Sequence, residues 1–307
     1  MQTPSRDTKV LVTGAAGFVG RRLVARLADA PRTEVIVAQR PGAAPMAGFA
    51  SVPFDLLDRD SVMRAVEETC PDVILHLAAQ ASVGQGFAYS ATTWSANLCG
   101  TVALAEAVAT HVPNATVLFA STVEVYGLAF NYGEVSEDTP PQPQSSYAWT
   151  KLAAEKALAD ILPSSARLIV VRPSNHSGRG QDNRFVLPSF AAQIHRGGDV
   201  LVGNLEAQRD FLHVDDVVDA YVKLVEVAPN LSKRALFNLA SGNTVSVGFL
   251  LNRMLELSGS HAKVVVDQAR FRPSDVPVTA IDASRIRREL KWSTRRGVDE
   301  MLNELMN

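Results

Sequence analysis

A tyrosine and a lysine four residues apart, Tyr147 and Lys151, form the strongest candidate for chemistry in this sequence. On a helix, residues at this spacing share a face, so the lysine ammonium would lie near the phenol and stabilise its ionised form. Tyrosine ordinarily titrates at a pKa of about 10, which is too high for an effective acid or base at neutral pH. The spacing therefore predicts a tyrosine whose pKa is lowered by a nearby cation.

A hydroxyl that could assist this pair lies in the stretch Thr122-Val-Glu-Val-Tyr-Gly127, which directly follows a strand pattern. Thr122 could donate a hydrogen bond to the same carbonyl oxygen that Tyr147 protonates, and this would polarise the carbon for hydride attack. Together, Thr122, Tyr147 and Lys151 predict carbonyl and alcohol interconversion with a nicotinamide cofactor. The carboxylate of Glu124 lies among them, and its role decides between two classes of enzyme.

Three glycines predict where the cofactor binds. They lie in Val10-Leu-Val-Thr-Gly14-Ala-Ala-Gly17-Phe-Val-Gly20, where a strand pattern ends and a helix pattern begins. Backbone amides and the positive end of that helix could meet a pyrophosphate, and the glycines allow a tight turn and a close approach. The spacing is one residue longer than G-x-G-x-x-G but occupies the same point of a βαβ unit. The predicted contacts are Gly14, Gly17, Phe18, Val19 and Gly20.

The end of the second strand bears on which dinucleotide is used. An acid there would bind the ribose hydroxyls, whereas an arginine accommodates a 2′-phosphate. The strand ends in Gln39-Arg40 without an acid. We therefore favour NADP(H) with Arg40 as the phosphate contact, and NAD(H) as possible. Further cofactor contacts are predicted after the third and fourth strands, at Asp55, Leu56, Leu77, Ala78 and Ala79.

Strand and helix patterns alternate along the first part of the chain, which favours an open sheet of parallel strands. The predicted strands are 9–13, 34–38, 51–54, 73–77, 116–120 and 167–171, and the predicted helices are 17–29, 60–68, 94–111 and 147–162. After residue 172 the rhythm breaks, and helical pieces follow at 185–196, 214–226 and 249–257 before a polar, basic tail.

The predicted fold is a Rossmann-type doubly wound α/β sheet with a smaller C-terminal α/β substrate domain. We place the nicotinamide-binding domain at 1–172, with segments near 210–240 returning to it, and a mainly nucleotide-sugar-binding domain at 173–307.

Composition excludes several classes of partner. With 307 residues, 47% of them hydrophobic, and a net charge of -2, the chain is expected to be soluble and globular. The pI of about 6.3 gives no basic footprint for nucleic acid. No secretory signal, membrane span or metal-ligand spacing is evident, so cytoplasm is the expected location. Cys70 and Cys99 lie in apolar sequence, and we expect buried thiols rather than a disulfide.

The whole chain resembles the extended short-chain dehydrogenase/reductase family of nucleotide-sugar epimerases, dehydratases and reductases. The resemblance rests on the glycine stretch, His76-Leu-Ala-Ala79, Asn97 with Gly100-Thr101, the Thr122 and Tyr147 stretches, and Arg172-Pro173. It implies that a threonine, a tyrosine and a lysine are catalytic, that Asn97 supports the active-site helix, and that the protein forms a homodimer. It also places Asn97 and Arg172 at the cofactor.

The second part of the chain narrows the resemblance to GDP-4-keto-6-deoxy-D-mannose reductases and, more distantly, GDP-mannose 4,6-dehydratases. The segments that carry it begin at Asn175, Phe185, Val202 and Arg272. Arginines offer a planar fork of donors to diphosphate oxygens, although either could instead form a salt bridge. The implied substrate contacts are Ser82, Thr122, Glu124, Asn175, Val186, Arg209 and Arg272.

Other polar residues of this second part are predicted to be structural. A lone histidine is more often structural than a ligand, which applies to His176 and His213. Asp215 and Asp216 are predicted to cap the helix that follows them.

The presence of Glu124 leaves two activities open, 4,6-dehydration and ketone reduction. In the related dehydratases, a glutamate in a Thr-x-Glu arrangement removes the proton beside a transient ketone, but the reductases can also carry an acid there. The glycine turn lacks the Gly-Gln-Asp insertion typical of mannose dehydratases. The favoured activity is therefore NAD(P)H-dependent reduction of a nucleotide-activated 4-keto-6-deoxyhexose, with a 4,6-dehydratase, a 4-epimerase and a non-catalytic cofactor-binding regulator as alternatives.

Overall fold

The chain folds into two compact units. The computed structural model describes residues 7–80, 90–271 and 276–307. The first unit combines Met1–Val125, Ser145–Arg172 and Val218–Phe237, and the second combines Tyr126–Gln144, Pro173–Val217 and Asn238–Asn307. The binding roles that the sequence suggests for the two parts of the chain stay predictions.

A seven-stranded sheet forms the centre of the first unit. Its strands are β1 (Thr8–Thr13), β2 (Thr33–Gln39), β3 (Ala50–Pro53), β4 (Val73–His76), β5 (Thr116–Ala120), β6 (Arg167–Pro173) and β10 (Arg234–Leu239). Their order across the sheet is β10-β6-β5-β4-β1-β2-β3, and the six strands from β1 to β6 pair in parallel. The predicted Rossmann-type α/β fold class is confirmed. In such a sheet the carboxyl ends of the strands share one edge, where ligands bind.

Helices connect these strands. They are α1 (Phe18–Ala28), α2 (Arg59–Thr69), α3 (Ser90–Trp94), a π-helical turn (Ser95–Cys99), α4 (Gly100–His111), α5 (Ser146–Ile161) and α7 (Val214–Val227). The continuous helix predicted at 94–111 is thus divided by the π-helical turn, a feature that often marks a functional site. Helix α5 starts where the Ser145 side chain accepts a hydrogen bond from the Ala148 amide at 3.1 Å, which satisfies one free donor of its first turn.

Apolar side chains from the sheet and its covering helices form the core of the first unit. Leu11 of β1, Ile74 of β4 and Val117 of β5 are fully buried together with Leu104 of α4 and Leu158 of α5. Each such side chain contributes roughly 1.5 to 3 kcal/mol relative to exposure. This packing fixes the strand ends on which the polar site residues lie.

The second unit contains two small sheets. One joins β7 (Asn175–Ser177), β9 (Gln208–His213) and β11 (Thr244–Ser246), with β7 parallel and β11 antiparallel to β9. The other pairs β8 (Val200–Val202) with β12 (Val264–Val266) in parallel. The remaining helices are α6 (Val186–Arg196), α8 (Val247–Ser258), α9 (Ser284–Leu290) and α10 (Val298–Met306).

The second unit has its own core, in which α6, α8 and α10 pack together through Leu187, Phe190, Leu250, Met254 and Leu302. The segment expected as a polar tail therefore contributes helices and core residues. In the described part of the chain, no helix has both the length and the apolar character needed to cross a membrane.

Two expectations are wrong, one about a pair of aspartates and one about the two thiols. Asp215 and Asp216 do not cap a following helix, because α7 begins at Val214 and both lie inside its first turn. The Asp216 carboxylate instead accepts hydrogen bonds from the backbone amides of Arg295 and Arg296, each at 3.1 Å, and from the Arg296 guanidinium at 2.8 Å.

The expected burial of the thiols is also wrong, since Cys70 and Cys99 are both exposed. Cys70 follows the last turn of α2 in a left-handed conformation, and Cys99 ends the π-helical turn. Apolar neighbours along the sequence therefore did not indicate which face of these helices the thiols occupy.

The glycine turn between β1 and α1 leaves no room for side chains. A Cβ added to Gly20 would lie 2.2 Å from the Gly14 carbonyl oxygen and 2.8 Å from that of Ala15. Gly14 has a φ of +72°, and its Cβ would lie 2.8 Å from the Ala78 amide nitrogen. The turn can therefore pack against the end of β4 only because these positions are glycines.

We expect Gly20→Ala to lower the free energy of unfolding by about 1 to 3 kcal/mol, because α1 must move away from the turn. Urea denaturation of the purified protein measures this change. The matched control is Gly297→Ala, since a Cβ at Gly297 would meet nothing within 4 Å. Equal stability of the two variants would contradict the close packing of the turn.

Candidate active site

The predicted hydroxyl pair lies together at the end of β5 and the start of α5. The buried Thr122 hydroxyl forms a hydrogen bond with the Tyr147 phenol. Its oxygen also accepts a hydrogen bond from the Glu124 backbone amide at 3.2 Å. The two hydroxyls therefore lie beside each other.

The surroundings of Tyr147 keep its phenol protonated. Burial raises the pKa of Tyr147, the negative charge of Glu124 raises it further, and the Thr122 hydrogen bond lowers it in part. The predicted lowering of this pKa is therefore wrong in direction. A protonated phenol is the form that can donate a proton to a carbonyl oxygen. Tyr221 is a buried neighbour of Tyr147 that the sequence did not reveal. Burial raises the pKa of Tyr221, and the nearby Tyr147 raises it further.

Lys151 lies one turn after Tyr147 on α5, and only 3% of its surface is exposed. Its Nζ lies 4.4 Å from the centroid of the Phe119 ring, a distance that suits a cation over an aromatic face. Burial lowers the pKa of Lys151 to about 7, although the negative charge of Glu155 acts in the opposite direction. The charge of this lysine therefore depends on pH close to neutrality.

A carboxylate that the sequence did not single out lies on the next turn of α5. Glu155 accepts hydrogen bonds from Arg172 Nε at 3.0 Å and Arg172 Nη2 at 2.6 Å. The Ser121 hydroxyl donates to the same carboxylate. The guanidinium of Arg172, expected at the cofactor, is thus bound to Glu155. In the sequence, the only signal for this residue was an acid four positions after Lys151.

His76 at the end of β4 belongs to a directed chain of hydrogen bonds. The Thr101 hydroxyl donates to the Asn97 carbonyl at 2.7 Å, so it must accept from His76 Nε2 at 3.1 Å. His76 Nδ1 is then the acceptor, and the Thr13 hydroxyl donates to it at 2.8 Å. The Ala78 amide donates to that hydroxyl at 3.1 Å. The imidazole is therefore neutral with its proton on Nε2.

The pKa of His76 agrees with this arrangement. Burial lowers the pKa of His76 from its usual 6.5 to about 3, and the positive charge of Lys151 lowers it further. The ring stacks on Phe119 with a centroid distance of 5.7 Å. His76 is therefore a fixed neutral element that joins β1, β4 and the helix that follows the π-helical turn.

Asn97 continues the connection toward Tyr147. It lies in the π-helical turn Ser95–Cys99, and its amide group holds the Gln80 backbone through Oδ1 at 2.8 Å and Nδ2 at 3.2 Å. Nδ2 also donates to the Thr150 hydroxyl at 3.1 Å, and that hydroxyl donates to the Tyr147 carbonyl at 2.8 Å. The side chain of Asn97 thus holds the first turn of α5, and its predicted cofactor contact stays a prediction.

The glycine turn fits the pyrophosphate of a dinucleotide. A Cβ on Gly14, Gly17 or Gly20 would lie within 3.0 Å of backbone atoms, so the chain presents bare backbone at the start of α1. Phe18 and Val19 are partly exposed in the first turn of that helix. The eleven residues of α1 direct the positive end of the helix dipole at this point.

Arg40 and the other predicted cofactor residues lie on the following strand ends. Arg40 is exposed directly after β2, and within the described ranges its side chain forms no ion pair. Asp55 accepts a hydrogen bond from the Leu57 amide at 3.0 Å, while Leu56 packs against the core of the first unit. Three partly buried residues follow β4, and they are Leu77, Ala78 and Ala79.

The predicted substrate residues of the second unit lie on β7, α6 and β9. Asn175 Nδ2 donates to the Asp210 carbonyl at 3.3 Å. Arg209 Nη1 donates to the carbonyls of Gln208 at 2.7 Å and Pro277 at 3.3 Å. Val186 begins α6. Ser82 and Arg272 lie outside the described residues, and the substrate contacts of this unit stay predictions.

Asp210 organises the backbone around these residues. It is fully buried, and its carboxylate accepts hydrogen bonds from the Ser174 hydroxyl at 2.7 Å and the Ser241 hydroxyl at 2.7 Å. The backbone amides of Ser241, Gly242 and Asn243 donate to it at 2.9, 2.8 and 3.1 Å. These donors compensate the buried charge without a cation.

The histidines of the second unit have structural partners. His213 Nδ1 accepts from the Asp215 amide at 3.1 Å, so its Nε2 donates to Glu304 at 2.7 Å. His176 Nδ1 contacts the Ser174 carbonyl at 3.0 Å. Across the described parts of both units, no group of three histidine, cysteine or acidic side chains could hold a metal ion.

Comparison with known proteins identifies the family. Residues 10–240 match the NAD dependent epimerase/dehydratase family, a span of well over half of the chain. The chain belongs to this family. The resemblance to extended short-chain dehydrogenases and reductases is therefore confirmed, and so is the expectation of a nicotinamide cofactor. The preference for NADPH over NADH is not distinguished.

Individual relatives of the family differ in activity. The chain is 31% identical over 309 residues to the GDP-6-deoxy-D-mannose reductase of Pseudomonas aeruginosa, covering 97% of this chain and 96% of that protein. It is 27% identical to the UDP-glucose 4-epimerase of Bacillus subtilis, with coverage of 95% and 94%. The structure of RMD from Pseudomonas aeruginosa complexed with NADPH is similar with a TM-score of 0.84, 30% identity and 97% coverage of each chain.

We expect His76→Gln to make stability less sensitive to acid. The folded-state pKa of His76 is lowered, so between about pH 6.5 and about pH 3 the unfolded chain binds more protons than the folded protein. The free energy of unfolding therefore decreases as the pH decreases through this range. Between about pH 7.5 and about pH 5, wild type should lose about 2 kcal/mol through this residue, and His76→Gln should not.

Urea denaturation at the two pH values measures the difference. The exposed His261 supplies the control His261→Gln, which should keep the acid sensitivity of wild type. An identical loss in wild type and His76→Gln would contradict a neutral, buried imidazole.

Proposed function

We propose that this protein reduces the C4 ketone of a nucleotide-activated 4-keto-6-deoxyhexose with NADPH or NADH. The favoured substrate is GDP-4-keto-6-deoxy-D-mannose, and the product is GDP-6-deoxy-D-mannose (GDP-D-rhamnose) or its C4 epimer GDP-6-deoxy-D-talose. The observation that carries the proposal is the protonated Tyr147 phenol, which is hydrogen-bonded to Thr122 and followed one turn later by the buried Lys151. The similarity to the GDP-6-deoxy-D-mannose reductase over nearly the whole chain supports the choice of sugar.

In the proposed carbonyl reduction, each residue of the site has a separate role. When bound, a reduced nicotinamide supplies the hydride. Thr122 holds the ketone oxygen by a hydrogen bond, and Tyr147 donates its proton to that oxygen as negative charge develops. Lys151, in its charged form, stabilises the phenolate left on Tyr147, and a proton from solvent then restores the phenol. A tyrosine phenol is already protonated at neutral pH, and the raised pKa of Tyr147 keeps it in this donor form.

NADPH is the favoured reductant because of Arg40. This arginine is exposed directly after β2, and in the described ranges no carboxylate pairs with it. An exposed guanidinium without a carboxylate partner can offer its planar donors to a 2′-phosphate. An enzyme that exchanges its cofactor in every cycle needs such an accessible contact rather than a permanently enclosed cofactor.

A 4,6-dehydratase is the second candidate, and Glu124 favours it. The negative charge of this residue acts on the Tyr147 phenol, so the carboxylate lies near the reacting centre. There it could remove the proton beside a transient ketone, after which the oxygen at C6 would leave as water. The same charge raises the pKa of Tyr147, which supports the reductase without any elimination step.

We expect Tyr147→Phe to reduce kcat by roughly 10²- to 10⁴-fold, because the ketone oxygen then lacks its proton donor. The measurement follows oxidation of NADPH and NADH at saturating GDP-4-keto-6-deoxymannose, together with consumption of the sugar. The control is Tyr132→Phe, since Tyr132 is 85% exposed. Full activity of Tyr147→Phe would refute the mechanism. Absence of oxidation by wild type, with conversion of GDP-mannose to the 4-keto-6-deoxy sugar in a parallel incubation without added cofactor, would refute the reductase.

We expect Glu124→Gln to separate the two candidates. Ketone reduction should continue in this variant, whereas conversion of GDP-mannose to the 4-keto-6-deoxy sugar would require the carboxylate as base. Nuclear magnetic resonance of the sugar products measures both reactions, with the exposed Glu134 as control in Glu134→Gln. Elimination by wild type that disappears in Glu124→Gln would assign the dehydratase activity.

A further inference from the structure

The carboxylate of Glu155 joins three parts of the first unit that carry site residues. It lies on the same face of α5 as Lys151, one turn later. Ser121, which donates to it, directly precedes Thr122. Arg172, which binds it through two nitrogens, lies near the end of β6. One side chain therefore ties the helix with the lysine to the strand ends beside it.

We propose that Glu155 is a positioning residue, whose carboxylate, held by Ser121 and Arg172, fixes the place and the positive charge of Lys151. Its importance for catalysis rests on the proposed function. The electrostatic relation between the two side chains does not, since Glu155 lies one turn after Lys151 on the same helix face and its negative charge acts on the lysine.

The surroundings of Lys151 give Glu155 this role. Tyr147 lies on the same helix and stays protonated, and the imidazole of His76 from β4 is neutral. Arg172 from β6 is a second cation, and the charge of Glu124 acts on the Tyr147 phenol. Glu155 is the charged group that favours the protonated form of Lys151. Without it, burial alone would act on the lysine and promote loss of its proton.

The contacts also determine where the lysine lies. The Ser121 amide continues the pairing of β5 with β6 by donating to the Val171 carbonyl at 2.7 Å, so the Ser121 hydroxyl is held by the sheet. Phe119 of the same strand lies under the Lys151 ammonium, and that contact is favourable only when the lysine is charged. The position and the charge of Lys151 therefore depend on each other.

The test compares Glu155→Gln with Arg172→Gln by following the titration of Lys151. The protein is labelled with 13C at the lysine ε-carbons, and the Lys151 resonance is assigned by its loss in Lys151→Arg. In Glu155→Gln the midpoint should fall by about one pH unit or more, because an opposite charge has been removed. In Arg172→Gln the midpoint should equal or exceed that of wild type, because a like charge has been removed. The exposed Glu68 provides the control Glu68→Gln.

Opposite directions separate a charge effect from general disruption of the site. An unchanged midpoint in Glu155→Gln, or equal falls in both variants, would overturn the proposal. Removing Glu155 leaves buried cations without their partner and can prevent folding. If Glu155→Gln does not fold, the double variant that combines Glu155→Gln with Arg172→Gln is used instead, because it removes both charges together. The Lys151 titration midpoint of this double variant should also lie below that of wild type. These titrations need no substrate, so failure of the reductase assay leaves their outcome intact.

Discussion

The ammonium of Lys151 is buried in the first unit, and the charges around it are arranged to accommodate it. Removing a cation from water is costly unless a partner or an aromatic face compensates for it. Phe119 supplies the face, and Glu155 supplies the negative charge. Arg172 in turn satisfies both oxygens of Glu155. His76 is neutral partly because this lysine lies near it. The charge of Lys151 therefore depends on these partners, and it adds to the effect of burial in keeping His76 neutral.

Hydrogen bonds of fixed direction then connect the cofactor side of the sheet to the catalytic helix. The proton of Thr101 goes to a backbone carbonyl, and this determines the tautomer of His76 and the direction of the Thr13 hydroxyl. Asn97 extends the connection to the first turn of α5 through Thr150. Because each donated proton has its own acceptor, rotation of any of these groups would leave a buried polar atom unsatisfied. This series of hydrogen bonds thus holds β1, β4 and α5 in a fixed arrangement.

The sequence was sufficient for the fold class and the family, while the catalytic roles of individual residues stay predictions. The glycine turn, the strand rhythm and the pair Tyr147 and Lys151 depend on local patterns, which the period of a helix or a strand makes visible. Glu155 was missed because its partners, Ser121 and Arg172, come from distant segments that meet only in the folded sheet. The pKa of Tyr147 was predicted in the wrong direction for a similar reason. The spacing revealed the cation, but not the burial or the approach of Glu124.

The protonation state of Tyr147 bears on the first step of each proposed reaction. Reduction of a ketone requires a proton donor at its first step, and the raised pKa of Tyr147 supplies one. Epimerisation at C4 and 4,6-dehydration both begin by oxidising an alcohol, which requires a phenolate to accept the proton. A carboxylate beside the phenol opposes that phenolate, because two negative charges would then lie close together. Glu124 could nevertheless serve a 4,6-dehydratase as its base, so its position alone does not separate the two proposed activities.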